Sequence, residues 1–276
     1  MTRWLRRRGW KYASMIVVAA FALFPIYYLV ITSLKTREEI YSRTPDLWPN
    51  HPNWHEYSSV LGEGHVGRAL VNSLIVASGT MVICLIVGAL AAYALARWRF
   101  KITHLLLMAV LMTQMFPLVV LVIPLFVIMR KADLLGTYWS LIITYLAFSV
   151  PLAIWVMRSF ILTIPEELEY AARIDGATRI GAMIRVVLPL AAPGLATVAV
   201  LSFLEGWKEF LLALTFLNDE NKKTMPLVLQ SFVGRGDVDW AKVMATSVLY
   251  TLPVAIVFVL ARKHLMTART GGAVKG

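Results

Sequence analysis

Cysteine is nearly absent from this chain: Cys84 is the only one in 276 residues. That excludes an internal disulfide. With no metal-ligand spacing around it, Cys84 reads as a small apolar filler. Charge is scarce too, at 16% of residues against 59% apolar, whereas soluble domains carry about 25% charged residues. The charges also bunch. None occurs in residues 12–34, 69–96, 102–129, 134–157, 186–204 or 243–261. A Gly-x-x-x-x-Gly-Lys-Ser/Thr pattern is missing, so the chain brings no P-loop nucleotide site of its own. His51 and His55 stand four apart, but Pro49 and Pro52 flank His51, and no metal site is expected there.

What is present is apolar length. A helix needs roughly 20 mainly apolar residues, rising 1.5 Å each, to cross about 30 Å of hydrocarbon. All six uncharged runs reach or approach that. The expectation is an all-α polytopic membrane protein forming a single transmembrane domain over 1–276, because a spanning helix satisfies its own backbone polar groups. The six spans are expected at about 12–34, 69–96, 103–129, 135–160, 188–216 and 243–263. External loops are expected at 35–68 and 217–242. The basic start (Arg3, Arg6, Arg7, Arg8, Lys11) belongs in the cytoplasm. With that start inside, 16 of the 27 Lys and Arg fall in inner segments, which supports both termini inside. The net charge of +11 then reflects topology and anionic lipid rather than nucleic-acid binding. The first run is too long for a cleaved signal peptide, and no small-residue cleavage site follows it.

Loop 35–68 carries Pro45, Trp48, Pro49, Pro52 and Trp54, so it reads as an ordered loop packed on the span ends rather than a long helix. Pro117, Pro124 and Pro151 fall inside spans, where each removes a backbone donor and kinks a helix.

The segment at 163–187 is different. Thr163 and Glu166 have the spacing of a capping box, and Glu166, Glu167 and Glu169 lie near the positive end of the helix dipole. Asp175 and Gly176 mark a turn. Ile180, Met183, Ile184 and Val187 follow at helical spacing, and Leu188 and Pro189 start the next span. This predicts helix, glycine turn, helix along the inner face. It could rest on lipid. Its apolar strip is centred on Ala171 and Ala172, though, which bury little area in lipid and instead allow close approach to a partner's groove.

These residues also carry a family resemblance. Ala171, Ala172, Asp175, Gly176 and Ala177, ending in Leu188 and Pro189, resemble the EAA loop of bacterial ABC importer permeases of the carbohydrate (maltose/trehalose) branch. The likeness extends along the chain through Phe24 and Pro25, Asn72 and Ser73, Ala91, Ala92, Tyr93 and Ala94 before Arg97, Gln114 to Pro117, and Gly206, Trp207, Lys208, Glu209 and Phe210. It implies the ABC type I importer permease fold, with 163–187 as a coupling helix seated in a cytoplasmic ATPase. Glu169, Tyr170, Ala171, Ala172, Asp175, Gly176, Ala177, Ile184, Leu188 and Pro189 are its implied coupling residues. The tail, with Gly272, Lys275 and Gly276, would also touch the ATPase. The implied partners are a paralogous second permease, a homodimeric ATPase that binds ATP and Mg, an extracytoplasmic solute-binding protein, and a sugar. The implied place is the cytoplasmic membrane of a bacterium or archaeon. No cofactor and no catalysis are expected of this chain. Tyr170 stands where the motif glutamate is expected, with Glu169 just before it, and Lys208 replaces the usual Asn.

Glu205, Trp207, Lys208 and Glu209 sit in an otherwise apolar stretch. Ionisable groups there are costly and face the bundle interior or water. They read either as a wall of the sugar pathway or as a structural ion-pair cluster. Trp207 reads either as a sugar-stacking face or as an interfacial anchor. The rival function, a secondary transporter or channel not driven by ATP, calls for an internal repeat or mid-membrane coupling acids. No clear repeat is visible, and the inner segment would then be unexplained.

Overall fold

The computed structural model describes residues 2–44, 46–62, 65–98, 102–233 and 238–270, so the tail residues Gly272, Lys275 and Gly276 lie outside the described residues. No strand occurs among those described. The chain divides into two compact units, one of residues 1–67 and 228–252, the other of residues 68–227 and 253–276.

The smaller unit holds α1 (Thr2–Ser33), α2 (Arg37–Ile40) and α3 (His55–Gly62). Large apolar side chains along α1, from Trp10 to Tyr28, stand exposed. A patch of that size needs lipid or protein to cover it. The following loop is ordered by polar contacts. Lys35 is buried and donates through Nζ to the Asp46 carbonyl. Thr36 and Glu39 form a reciprocal capping box on α2. Slight burial raises the Glu39 pKa, but N–H donation from Thr36, Asn50 and His51 outweighs it and holds the carboxyl below its usual range. The loop is fastened to the end of α1, where the Tyr27 hydroxyl donates to the Leu47 carbonyl at 2.6 Å and the Asn53 N–H to the Leu34 carbonyl at 2.8 Å, while Trp48 and Trp54 stand largely exposed.

The larger unit is built on α4 (His65–Arg97), α7 (Tyr138–Ile161) and α11 (Ala192–Lys208). Glycine lets α4 approach its neighbours. A Cβ on Gly88 would lie 2.8 Å from Ala153 Cβ on α7, and one on Gly206 of α11 would lie 3.2 Å from Ala77 Cα on α4. Trp207, Phe203 and Tyr145 fill the interior between these helices.

Among the described residues, four helical stretches are long and apolar enough to cross a membrane: Trp10–Ser33, His65–Arg97, Tyr138–Ile161 and Trp240–Leu265, the last within α14 (Trp240–Thr270). The expected spans at 103–129 and 188–216 are not straight. The first is α5 (Thr103–Met112), a tight turn (Thr113–Met115) and α6 (Leu118–Lys131), bent by 99°. Pro117 is the cause. It lacks an N–H and forces Phe116 into an extended conformation, φ −76°, ψ 126°. The second bends by 81° between Arg179–Leu190 and Ala192–Lys208, where Pro189 and Pro193 bracket Ala191. It breaks again at Glu209, which is extended (φ −69°, ψ 131°), before α12 (Leu211–Phe216). If each bent pair crosses as one span, the total is six. The segment expected as loop 217–242 contains a short turn (Glu220–Lys222), α13 (Met225–Val233) and the start of α14.

The Gly88 contact is testable by thermal unfolding in detergent. Gly88→Ala should destabilise by about 1–3 kcal/mol through overpacking, and Ala153→Gly in the same chain should recover most of it.

Candidate functional site

The end of α4 gathers the segments that follow α7. Apolar residues pack the base: Ala92, Ile161, Met183, Val187 and Ala191 form one buried cluster with Tyr93. From that base rises α8 (Glu166–Ile174). Its expected capping box is not made. The Thr163 hydroxyl donates to the Phe160 carbonyl at 2.7 Å in the last turn of α7, and Pro165 delays the helix start to Glu166. Thr163 therefore closes one helix and does not open the next.

Glu169 is the one carboxylate of α8 that points inward, 7% exposed. The Arg97 Nε donates to it at 2.5 Å and the Tyr93 hydroxyl donates to its other oxygen at 2.7 Å. Arg97 also donates to the Ile164 carbonyl at 2.9 Å. Breaking a buried pair by removing one partner costs roughly 3–5 kcal/mol, because a charge is left uncompensated. Tyr170 lies on the outer side and reaches back to Glu166 at 3.3 Å.

The turn after α8 explains the small residues. Gly176 has φ +92°. Its N–H donates to the Arg173 carbonyl at 3.1 Å, and that of Ala177 to the Ala172 carbonyl at 3.0 Å. That pair of bonds is the Schellman motif, in which C′ needs a left-handed residue. Thr178 then caps α9 (Arg179–Ala182) through the Gly181 N–H at 3.0 Å. A wide turn (Met183–Val187) and α10 (Leu188–Leu190) follow. The expected single apolar strip splits in two: Met183 and Val187 are buried, while Ile180 and Ile184 are exposed. Leu168, Tyr170 and Ile174, the last of these 85% exposed, are uncovered as well.

The second candidate cluster does not stay together. Trp207 is 2% exposed and stacks on Phe203 at 5.4 Å, so it faces neither a sugar nor the membrane interface. Lys208 pairs with Glu205 at 2.9 Å, with both side chains substantially exposed. Glu209 takes no part in that pair. It accepts from the Tyr145 hydroxyl at 2.7 Å and from the N–H groups of Leu212 and Ala213 at 2.8 and 3.1 Å, capping α12. Glu205 and Glu209 line a cavity of about 210 Å³ with Gln114, Phe116, Tyr145, Phe148 and Ser149. Phe116 and Glu209, the extended residues at two helix breaks, are both in its wall.

Sequence reasoning did not assign roles to Tyr93, Arg97 and Tyr145. For the first two a signal was there: an i, i+4 pair of hydrogen-bonding side chains ending an apolar run.

Two substitutions separate these local effects, measured as thermal stability in detergent. Gly176→Ala meets nothing within 4 Å and should cost about 1 kcal/mol through backbone conformation alone. Glu209→Ala should cost about 1–2 kcal/mol through loss of the cap, and Glu209→Gln distinctly less.

Comparison with known proteins agrees with this geometry. The family model for the binding-protein-dependent transport system inner membrane component matches residues 84–268. The sulfoquinovosyl glycerol transport system permease protein of Agrobacterium fabrum is 38% identical over 96% of this chain and 92% of its own. The trehalose transport system permease protein of Mycobacterium tuberculosis is 35% identical over 98% of both. Among solved structures, a bacterial ABC transporter involved in import of the acidic polysaccharide alginate superposes with a TM-score of 0.79 at 26% identity, covering 94% of this chain and 96% of that one. A long apolar chain with broken spans, a glycine-turned amphipathic loop and this sequence kinship belongs to the binding-protein-dependent inner membrane components, as a multi-pass permease subunit of a carbohydrate ABC importer in the cytoplasmic membrane.

Proposed function

We propose that this chain lets an oligosaccharide of the maltose, maltodextrin or trehalose kind across the cytoplasmic membrane by alternating access, driven by ATP hydrolysed on a separate homodimeric subunit. The chain sits with both termini inside, crosses six times, and pairs with a paralogous second permease. An extracytoplasmic solute-binding protein delivers the sugar. Relatives named for trehalose and for sulfoquinovosyl glycerol support the substrate class without choosing within it.

The observation that carries this reading is the uncovered face of the loop. Ile174, Ile180 and Ile184 project outward while the acidic residue beside them, Glu169, is turned in. Exposed isoleucines on both sides of the glycine turn, on α8, α9 and the wide turn, fit docking into a partner's groove. The cavity at Gln114, Tyr145, Ser149 and Glu205 supplies hydroxyl and carboxylate groups beside aromatic faces, a mixture suited to sugar rings.

The test is purification of the tagged chain from its own membranes in mild detergent, with mass spectrometry of its companions. A P-loop ATPase and a second permease are expected with the wild type. Gly176→Pro cannot adopt φ +92° and should lose the ATPase while keeping the second permease. A chain that purifies alone, or only with copies of itself, overturns the proposal.

A further inference from the structure

The loop is tied to the rest of the chain in two different ways. Toward α11 it is continuous, but the path runs through the wide turn at Met183–Val187 and the 81° bend at Ala191. Toward the end of α4 it is joined by directional polar contacts to Tyr93, Arg97 and Trp98. Glu169 of α8 holds Tyr93 and Arg97. Arg97 also holds the Ile164 carbonyl, ahead of α8. The Arg179 guanidinium of α9 lies 5.5 Å from the centre of the Trp98 ring.

Apolar packing is non-directional and lets helices slide. A buried carboxylate held by a guanidinium and a hydroxyl does not, since displacement strands a charge. We propose that Tyr93 and Arg97 are positioning residues for coupling. Together with Glu169 they latch the loop to the end of α4, so that a push on the loop is delivered to α4 as a rigid displacement, while the bend at Ala191 acts as a hinge toward α11. This rests on the reading that an ATPase seats on the loop. It assigns to Glu169 an inward, force-transmitting role, distinct from contact with the partner.

Cys84 provides a readout that needs no knowledge of the sugar. It is the sole cysteine of the chain, lies on α4, and is fully buried in the same apolar cluster as Tyr93. The whole complex is purified, trapped with ATP and vanadate or left nucleotide-free, and treated with a small maleimide. Alkylation of the Cys84 peptide is followed by mass spectrometry. In the wild type, trapping is expected to change the Cys84 rate by at least about fivefold, the lower end of typical coupling between sites. In Glu169→Gln and Arg97→Ala the nucleotide-free rate should stay near wild type and the ATPase should stay bound, but the response to trapping should fall below about twofold. Tyr93→Phe, which removes one hydroxyl, should fall between and guards against misfolding of the other two. A merely structural contact would alter the nucleotide-free rate and leave the response intact. The latch is overturned if the variants respond as the wild type does, or if the wild type does not respond at all. Absence of any co-purifying ATPase from the wild type is a separate result, which removes the docking reading itself.

Discussion

A single buried carboxylate decides how the functional end of this chain is arranged. Glu169 is 7% exposed and is tolerable there because Arg97 and Tyr93 meet it. Its inward orientation fixes the rotation of α8 about its own axis. Once that is set, Leu168, Tyr170 and Ile174 have no core left to enter and must face outward. The Schellman turn at Gly176 then reverses the chain so that Ile180 and Ile184 are exposed as well. Apolar packing of Ile164, Met183 and Val187 with Ala92 and Tyr93 holds the loop at the same end of α4, so its placement does not rest on the ion pair alone.

The second constraint is the membrane. Backbone that leaves helical geometry at membrane depth survives only where protein covers it or where it lines a wet cavity. The breaks at Phe116 and Glu209 obey this. Glu209 gives its two oxygens to the N–H groups freed at the start of α12, and both breaks border the cavity that Tyr145, Ser149 and Glu205 line. The extended residues Phe116 and Glu209 thus stand in the wall of one cavity.

The helical, membrane-embedded class was legible in the sequence because long uncharged runs are a one-dimensional signal. The loop was legible too, through Asp175, Gly176 and the small residues beside them. The missing parts depended on contacts between distant residues. Spacing alone cannot reveal that Glu169 finds Arg97, or that Trp207 turns into the core instead of toward a sugar or an interface. Nor does a local pattern settle its own outcome. Thr36 with Glu39 and Thr163 with Glu166 have the same spacing, yet only the first makes a capping box. Thr163 is drawn back to the Phe160 carbonyl, and Pro165 moves the helix start. Proline announced kinks at Pro117 but not their size, because the 99° bend reflects an extended Phe116 as well as a lost hydrogen bond.

The central claim is that the outward isoleucines meet another protein. It is tested most directly by a photo-crosslinking amino acid placed at Ile174 in the intact chain in its native membrane, with Ile123 of α6 as a second exposed position. The account predicts that Ile174 yields one dominant protein adduct, identified by mass spectrometry as a P-loop ATPase, and that Ile123 does not yield it. Lipid adducts alone at Ile174 would contradict the account and make the loop a membrane-surface helix.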